Sequence, residues 1–133
     1  DPRHKGERED LAEKVSVPDV LLQPHSAPLA MAFYEPPSGA ASGALPKEYD
    51  GDAFVALHGS WNRSKRTGYK VVRIKLDHGA SRGEYQDFLT GFVTGDANVW
   101  GRPVGVAVAH DGALIVSEDG NGTLWRITWQ GGT

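Results

Sequence analysis

Short runs of alternating apolar and polar positions, or of consecutive β-branched residues, recur along this chain, each closed by Gly, Pro, Asp or Asn. This is the period of strands, whose successive side chains point to opposite faces; a helix would repeat its apolar positions every three or four residues. Strands are predicted at Val15–Leu22, Pro28–Tyr34, Ala53–His58, Tyr69–Leu76, Tyr85–Phe88, Val104–Ala109, Ala113–Val116 and Thr123–Thr128. Only Glu9–Lys14 could form a helical turn or two. Asp111-Gly112 lies between two strand runs and signals a two-residue hairpin, since both residues tolerate positive φ. Asp1–Asp10 is charged and unpatterned and reads as a loop, and Ser38–Ala44, built of small residues, reads as a surface insertion.

Three strands recur in order. Pro28-Leu29-Ala30-Met31-Ala32-Phe33 matches Pro103-Val104-Gly105-Val106-Ala107-Val108 in size and polarity. Asp52-Ala53-Phe54-Val55-Ala56 then matches Gly112-Ala113-Leu114-Ile115-Val116, and Tyr69-Lys70-Val71-Val72-Arg73-Ile74 matches Gly122-Thr123-Leu124-Trp125-Arg126-Ile127. One match could be chance; three in order mark a duplicated unit. A sheet apolar on both faces cannot bury itself alone, and stacking such sheets face to face around an axis gives a β-propeller. The small residues Ala30, Ala32, Gly105 and Ala107 suit the crowded innermost strand.

The expected fold is therefore all-β. Residues 1–14 form a loop from a preceding blade, and 15–133 the propeller part: an outer strand, one full blade over 28–92, and an incomplete last blade over 98–129. Closure takes about four blades or more. The chain is thus expected to pair with missing N-terminal blades or to self-associate, and not to be a complete enzyme by itself.

Composition narrows the function. The 17 Gly and 8 Pro among 133 residues fit many short strands and turns. A formal net charge of −3 supplies no positive field for nucleic acid or an anionic membrane. No apolar run approaches the roughly 20 residues that span a bilayer. Cysteine is absent, which removes disulfides, thiolate catalysis and zinc–thiolate sites.

In a propeller, the loops that start inner strands and leave second strands share one mouth of the channel. The repeat assigns those loops to Gln23–Ala27, His58–Arg66, Asn98–Arg102 and Glu118–Asn121. Two are rich in Trp, Arg and His, a composition suited to a flat anionic ligand: guanidinium forks grip carboxylates and indole faces stack. Plainer roles compete. His25 could cap a turn, Trp61 and Trp100 could be inter-blade core, and Arg63, Lys65, Arg66 and Lys70 could be a solvated charge run. For Trp125 and Trp129 the core role is preferred, and Arg73 and Arg126 read as edge or surface charges. Glu118 and Asp119 read as an acidic turn, short of the ligand count calcium needs.

The segment Phe54–Arg63, with Pro24-His25-Ser26-Ala27-Pro28 and Trp100-Gly101-Arg102-Pro103-Val104-Gly105-Val106, resembles the glucose/sorbosone dehydrogenases that depend on pyrroloquinoline quinone (PQQ), in particular their L-sorbosone dehydrogenase-like branch. The resemblance runs from about Pro18 to Trp129. It implies the C-terminal blades of a six-bladed propeller that oxidises a sugar or aldehyde by hydride transfer to PQQ, with calcium orienting the quinone, in the periplasm or outside the cell. By position it implies cofactor contacts from His25, from Arg63 or Lys65, and from Arg102, with Trp61 and Trp100 toward the substrate. The family's general base and main calcium loop lie in earlier blades, so no catalytic residue and no metal ligand is assigned here. A second arginine found two positions after Arg102 is Val104 in this chain. That departure favours a competing reading, a non-redox propeller that binds a carbohydrate or a protein. A third reading is a scaffold of two blades that closes by self-assembly.

Overall fold

The computed structural model describes Gly6 and residues 9–39, 43–95 and 98–131. Most of Asp1–Asp10 and the middle of the Ser38–Ala44 insertion lie outside the described residues. The strands are β1 (Pro28–Phe33), β2 (Ala53–Leu57), β3 (Lys70–Ile74), β4 (Leu76–Asp77), β5 (Ala80–Ser81), β6 (Gln86–Leu89), β7 (Val93–Gly95), β8 (Asn98–Val99), β9 (Pro103–Val108), β10 (Leu114–Glu118) and β11 (Thr123–Ile127). Short 3-10 stretches occupy Glu9–Lys14 and Lys47–Tyr49. Strands β1-β2-β3-β6 form one antiparallel sheet and β9-β10-β11 a second; the small hairpin β4-β5 is inserted between β3 and β6 of the first sheet, and β7-β8 lies in the connection between the two sheets.

The two sheets pack face to face, β9 lying against β1 and β2. Their shared core takes Tyr34, Phe54 and Val71 from the first sheet and Leu114 and Val116 from the second, with Val106, Val108 and Ile127 packed around them. Phe54 stands among aromatic rings, its centroid 4.6 Å from Phe88 and 6.0 Å from Tyr34. The opposite face of the first sheet carries Ala53, Val55, Leu57, Val72 and Ile74. Strand β2 is therefore buried along its whole length, as its unbroken apolar run requires.

Register gives the repeat a sharper form. Both inner strands begin at a proline and bulge just after it: Pro28 faces Leu57 and Ala30 faces Ala56, while Pro103 faces Glu118 and Gly105 faces Ser117. Met31 and Val106 are thus equivalent, opposite Val55 and Val116, and Arg73 is equivalent to Arg126, opposite Phe54 and Ile115. The second strand departs from the sequence match by one residue, because Ala53 corresponds to Leu114 and not to Ala113. The cause is the turn. Gly112 N–H donates to Ala109 O and Ala109 N–H to Ala113 O, which makes a three-residue loop, His110-Asp111-Gly112, in which Gly112 alone has positive φ, +86°. Asp111-Gly112 is accordingly a type I turn closed by a G1 bulge, not a two-residue hairpin. The two-residue loop with both residues at positive φ is instead His78-Gly79, joining β4 to β5 at φ +51° and +81°.

Val15–Leu22 forms no strand. Pro18 lacks an N–H to donate, and the segment joins neither of the two larger sheets. Val20 and Leu22 pack instead against the back of the first sheet, across Val55 and Ile74. Around them Leu29, Met31 and Phe33 remain more than half exposed.

Tyr34 joins the sheets at one point. Its buried hydroxyl donates to Gly112 O and accepts from Leu45 N–H, both at 2.7 Å. Phenylalanine there would strand the Leu45 donor away from water. Tyr34→Phe is expected to cost about 1.5 kcal/mol, read as a lower urea midpoint at unchanged slope.

Candidate functional site

The four loops singled out from the repeat meet at one end of the two sheets. His58 and Gly59 N–H donate to Ala27 O and Ser26 O, both at 2.9 Å, so the loop leaving β2 lies along the loop that starts β1. In the second sheet, Asp119 N–H donates to Arg102 O at 3.2 Å. Side chains join the two halves: His58 Nε2 lies 3.1 Å from both oxygens of Asp119, and Arg102 Nε lies 2.9 Å from Oδ1 of that carboxylate. Burial pushes the Asp119 carboxyl up, but His58 and Arg102 beside it outweigh this and hold it below the usual range.

Beneath them Glu118 is the tie of the second sheet, 3% exposed. It accepts N–H groups from Arg102 at 3.4 Å, from Asn121 at 3.1 Å and from Thr123 at 3.2 Å. Burial raises its pKa, yet the Asn121, Thr123 and Arg102 donors prevail and leave it lowered. A carboxylate with a folded pKa below its unfolded one stabilises above the unfolded value, about 4.3 for Glu, and loses that contribution as pH falls through the folded value. Glu118→Gln is therefore expected to flatten the loss of stability below about pH 4, measured as urea midpoint against pH.

Trp61, Trp100 and Arg102 line one open groove of about 440 Å³, together with Arg66, Tyr69, Val99, Gly120 and Asn121. Trp100 is fixed by its Nε1–H donating to Gly91 O at 2.7 Å and by Phe92 and Trp125, with ring centroids 5.2 and 5.7 Å away. Trp61 is 87% exposed and presents a broad indole face. The loop that carries it folds back on itself: Ser60 N–H donates to Thr67 O, Thr67 N–H to Ser60 Oγ, and the Tyr69 hydroxyl to Ser60 O. This closure turns Arg66 into the groove, whereas Arg63 and Lys65 are exposed and do not line it. His25 is exposed as well, at φ +64° in a turn where Ser26 Oγ donates to Gln23 O, and it too lies off the groove.

Several sequence expectations change here. Arg73 is no surface charge: it is 7% exposed, with Nε and Nη2 each 2.5 Å from Asp52 Oδ2 and its guanidinium 3.9 Å from the Tyr49 ring centroid. The alternation places it on the same side of β3 as core Val71, so its charge must be paired where it sits. Arg126, its equivalent, is half exposed and pairs with Asp111, as a surface charge does. Trp125 and Trp129 are 38% and 55% exposed in this chain, Trp125 meeting Trp100 edge to face, and the described residues place no further sheet over β11. A Cβ on Gly101 would meet Phe92 Cδ1 at 2.6 Å, so that glycine makes room for the Phe92 ring. Arg102 has the Asp119 carboxylate beside it, and the other cation lining the groove is Arg66, from the run that could have been a solvated charge run, in place of Arg63 or Lys65. The sequence placed His58 and Asp119 in loops at this end but gave neither side chain a role in the site; the available signal was that each follows a second strand of the repeat.

An open groove with two indoles, two guanidinium groups and an amide fits a flat, anionic, hydrogen-bonding molecule. Among the described residues no three His, Asp or Glu side chains come together to hold a metal ion, and no helix is long and apolar enough to cross a membrane.

A family model described as TrAA12-like matches residues 2–130. A PQQ-dependent pyranose dehydrogenase of Coprinopsis cinerea is 37% identical over 131 residues, covering 83% of this chain and 16% of that protein. An uncharacterized protein of Borreliella burgdorferi is 34% identical over 116 residues, 86% of this chain and 29% of that protein. The chain therefore spans less than a third of either. Among solved structures, the holo form of the Coprinopsis cinerea pyranose dehydrogenase PQQ domain superposes with a TM-score of 0.65 at 32% identity, over 90% of this chain and 31% of that one. The Trichoderma reesei AA12 enzyme, in a calcium structure, superposes at 0.66 with 22% identity, over 90% of this chain and 28% of that one, a likeness of fold.

Proposed function

The chain belongs to the TrAA12-like family, and from that premise we propose that it supplies part of the quinone-binding wall of a PQQ-dependent sugar dehydrogenase built as a six-bladed propeller. One observation carries the reading: Arg102 lines a groove walled by Trp61 and Trp100. When bound there, PQQ supplies a quinone that accepts a hydride from the sugar carbon. This chain's own work is binding and orientation. Arg102 grips a carboxylate, Trp61 and Trp100 offer stacking faces toward the substrate side, and His25 with Arg63 or Lys65, which lie off the groove, would contact only a part of the cofactor that extends beyond it. The general base and the calcium ligands belong to those blades. The substrate is an aldose-type sugar or aldehyde, as in the sorbosone-type branch that the Phe54–Arg63 motif resembles, and the site of action lies outside the cytoplasm.

A second reading, a non-redox propeller, draws on Val104 and on Asp119, which already gives Arg102 a counter-charge. Adding PQQ and calcium to the full-length protein separates the two. A shift in quinone absorbance with sugar-dependent dye reduction is expected; no quinone uptake at saturating PQQ would leave the non-redox propeller.

A further inference from the structure

Asp119 and His58 have no part in the proposal above, yet they hold its principal residue. Arg102 meets Asp119 through Nε, on one edge of the guanidinium. No described residue partners its two terminal amines, and the side chain is 45% exposed beside the groove. A guanidinium can grip a carboxylate along its Nε edge or across its two terminal amines. Here the edge is taken and the two-amine end is left. Asp119 is itself fixed from the other sheet, because His58 reaches both its oxygens at 3.1 Å. His58 follows β2 directly, and its own N–H is bonded to Ala27 O.

We infer that Asp119, anchored by His58, is the positioning residue for Arg102: it occupies the Nε edge and presents the two-amine end to one carboxylate of the ligand in the groove. This rests on the functional reading above. Two effects of Asp119 on an anionic ligand oppose each other. Its charge repels the anion, while its grip removes the rotational freedom Arg102 would otherwise lose on binding. Asp119 is 48% exposed and its charge faces both His58 and Arg102, so the repulsion is screened and the orienting effect prevails.

The test is a PQQ titration of the full-length protein, followed by quinone absorbance, on a double-mutant cycle. Asp119→Ala is expected to weaken PQQ binding about tenfold when Arg102 is present and to change nothing in an Arg102→Ala background. Asp119→Asn keeps an oxygen for Nε and should bind at least as tightly as wild type. Thermal unfolding of each variant shows that the fold is intact, as expected for a half-exposed residue. Wild-type binding with an undiminished Asp119→Ala affinity, or the same loss in both backgrounds, would overturn the positioning role alone. Failure of the wild type to take up PQQ would overturn both the role and the function proposed above.

Discussion

Replacing Arg73 with alanine is expected to destabilise the protein by about 3–5 kcal/mol, the range for removing one partner of a buried ion pair. The cost lies in what stays behind. Asp52 is 3% exposed, and without the guanidinium it keeps only Leu76 N–H at 2.9 Å on one of its oxygens. The Glu48 carbonyl and the face of Tyr49 lose the same partner. The repeat provides an internal control. Arg126 occupies the equivalent position and pairs with Asp111, at side-chain exposures of 49% and 33%. Exposed pairs contribute about 0–1 kcal/mol, so Arg126→Ala should leave the urea midpoint almost unmoved. Equal losses at the two sites would mean that burial does not set the value of these bridges.

The second large effect concerns binding. In the full-length protein, Arg102→Ala should weaken PQQ affinity by about 2–3 kcal/mol, roughly 30- to 150-fold, without lowering the unfolding temperature. The figure sits toward the low end for truncated charge pairs because Arg102 is part-exposed and Asp119 keeps His58 as a partner. Lysine should restore only part of the loss: it brings the charge without the planar fork. PQQ titration reads both variants, and equal affinities for wild type and alanine would move Arg102 out of the site.

Much of this arrangement was legible in the chain. Pro28 and Pro103 each open an inner strand, and the Arg-Ile pairs at 73–74 and 126–127 fix the third strand, because alternation and duplication are both written locally. The second strand slipped by one residue because Ala53 and Ala113 are the same residue type, while the extra turn residue that separates them is a matter of backbone geometry. Arg73 was misread for a related reason. A charge in a strand implies solvent unless its partner is known, and Asp52 lies in the loop before a different strand. The groove's Trp and Arg residues stood out by composition. His58 and Asp119 did not, since their meaning is a distance between residues 61 apart in sequence.

The burial of β2 on both faces also governs how the molecule opens. Its peptide groups are paired with β1 on one side and β3 on the other. Neither small fluctuations of one core nor fraying of an edge can expose them to exchange with deuterium, so their protection should approach that of global unfolding. Strand β11, at the sheet edge with Leu124 72% exposed, should exchange through local opening far sooner. His58 follows directly on the slowest-exchanging segment, so one end of the His58–Asp119–Arg102 chain is seated in the part of the protein that opens last.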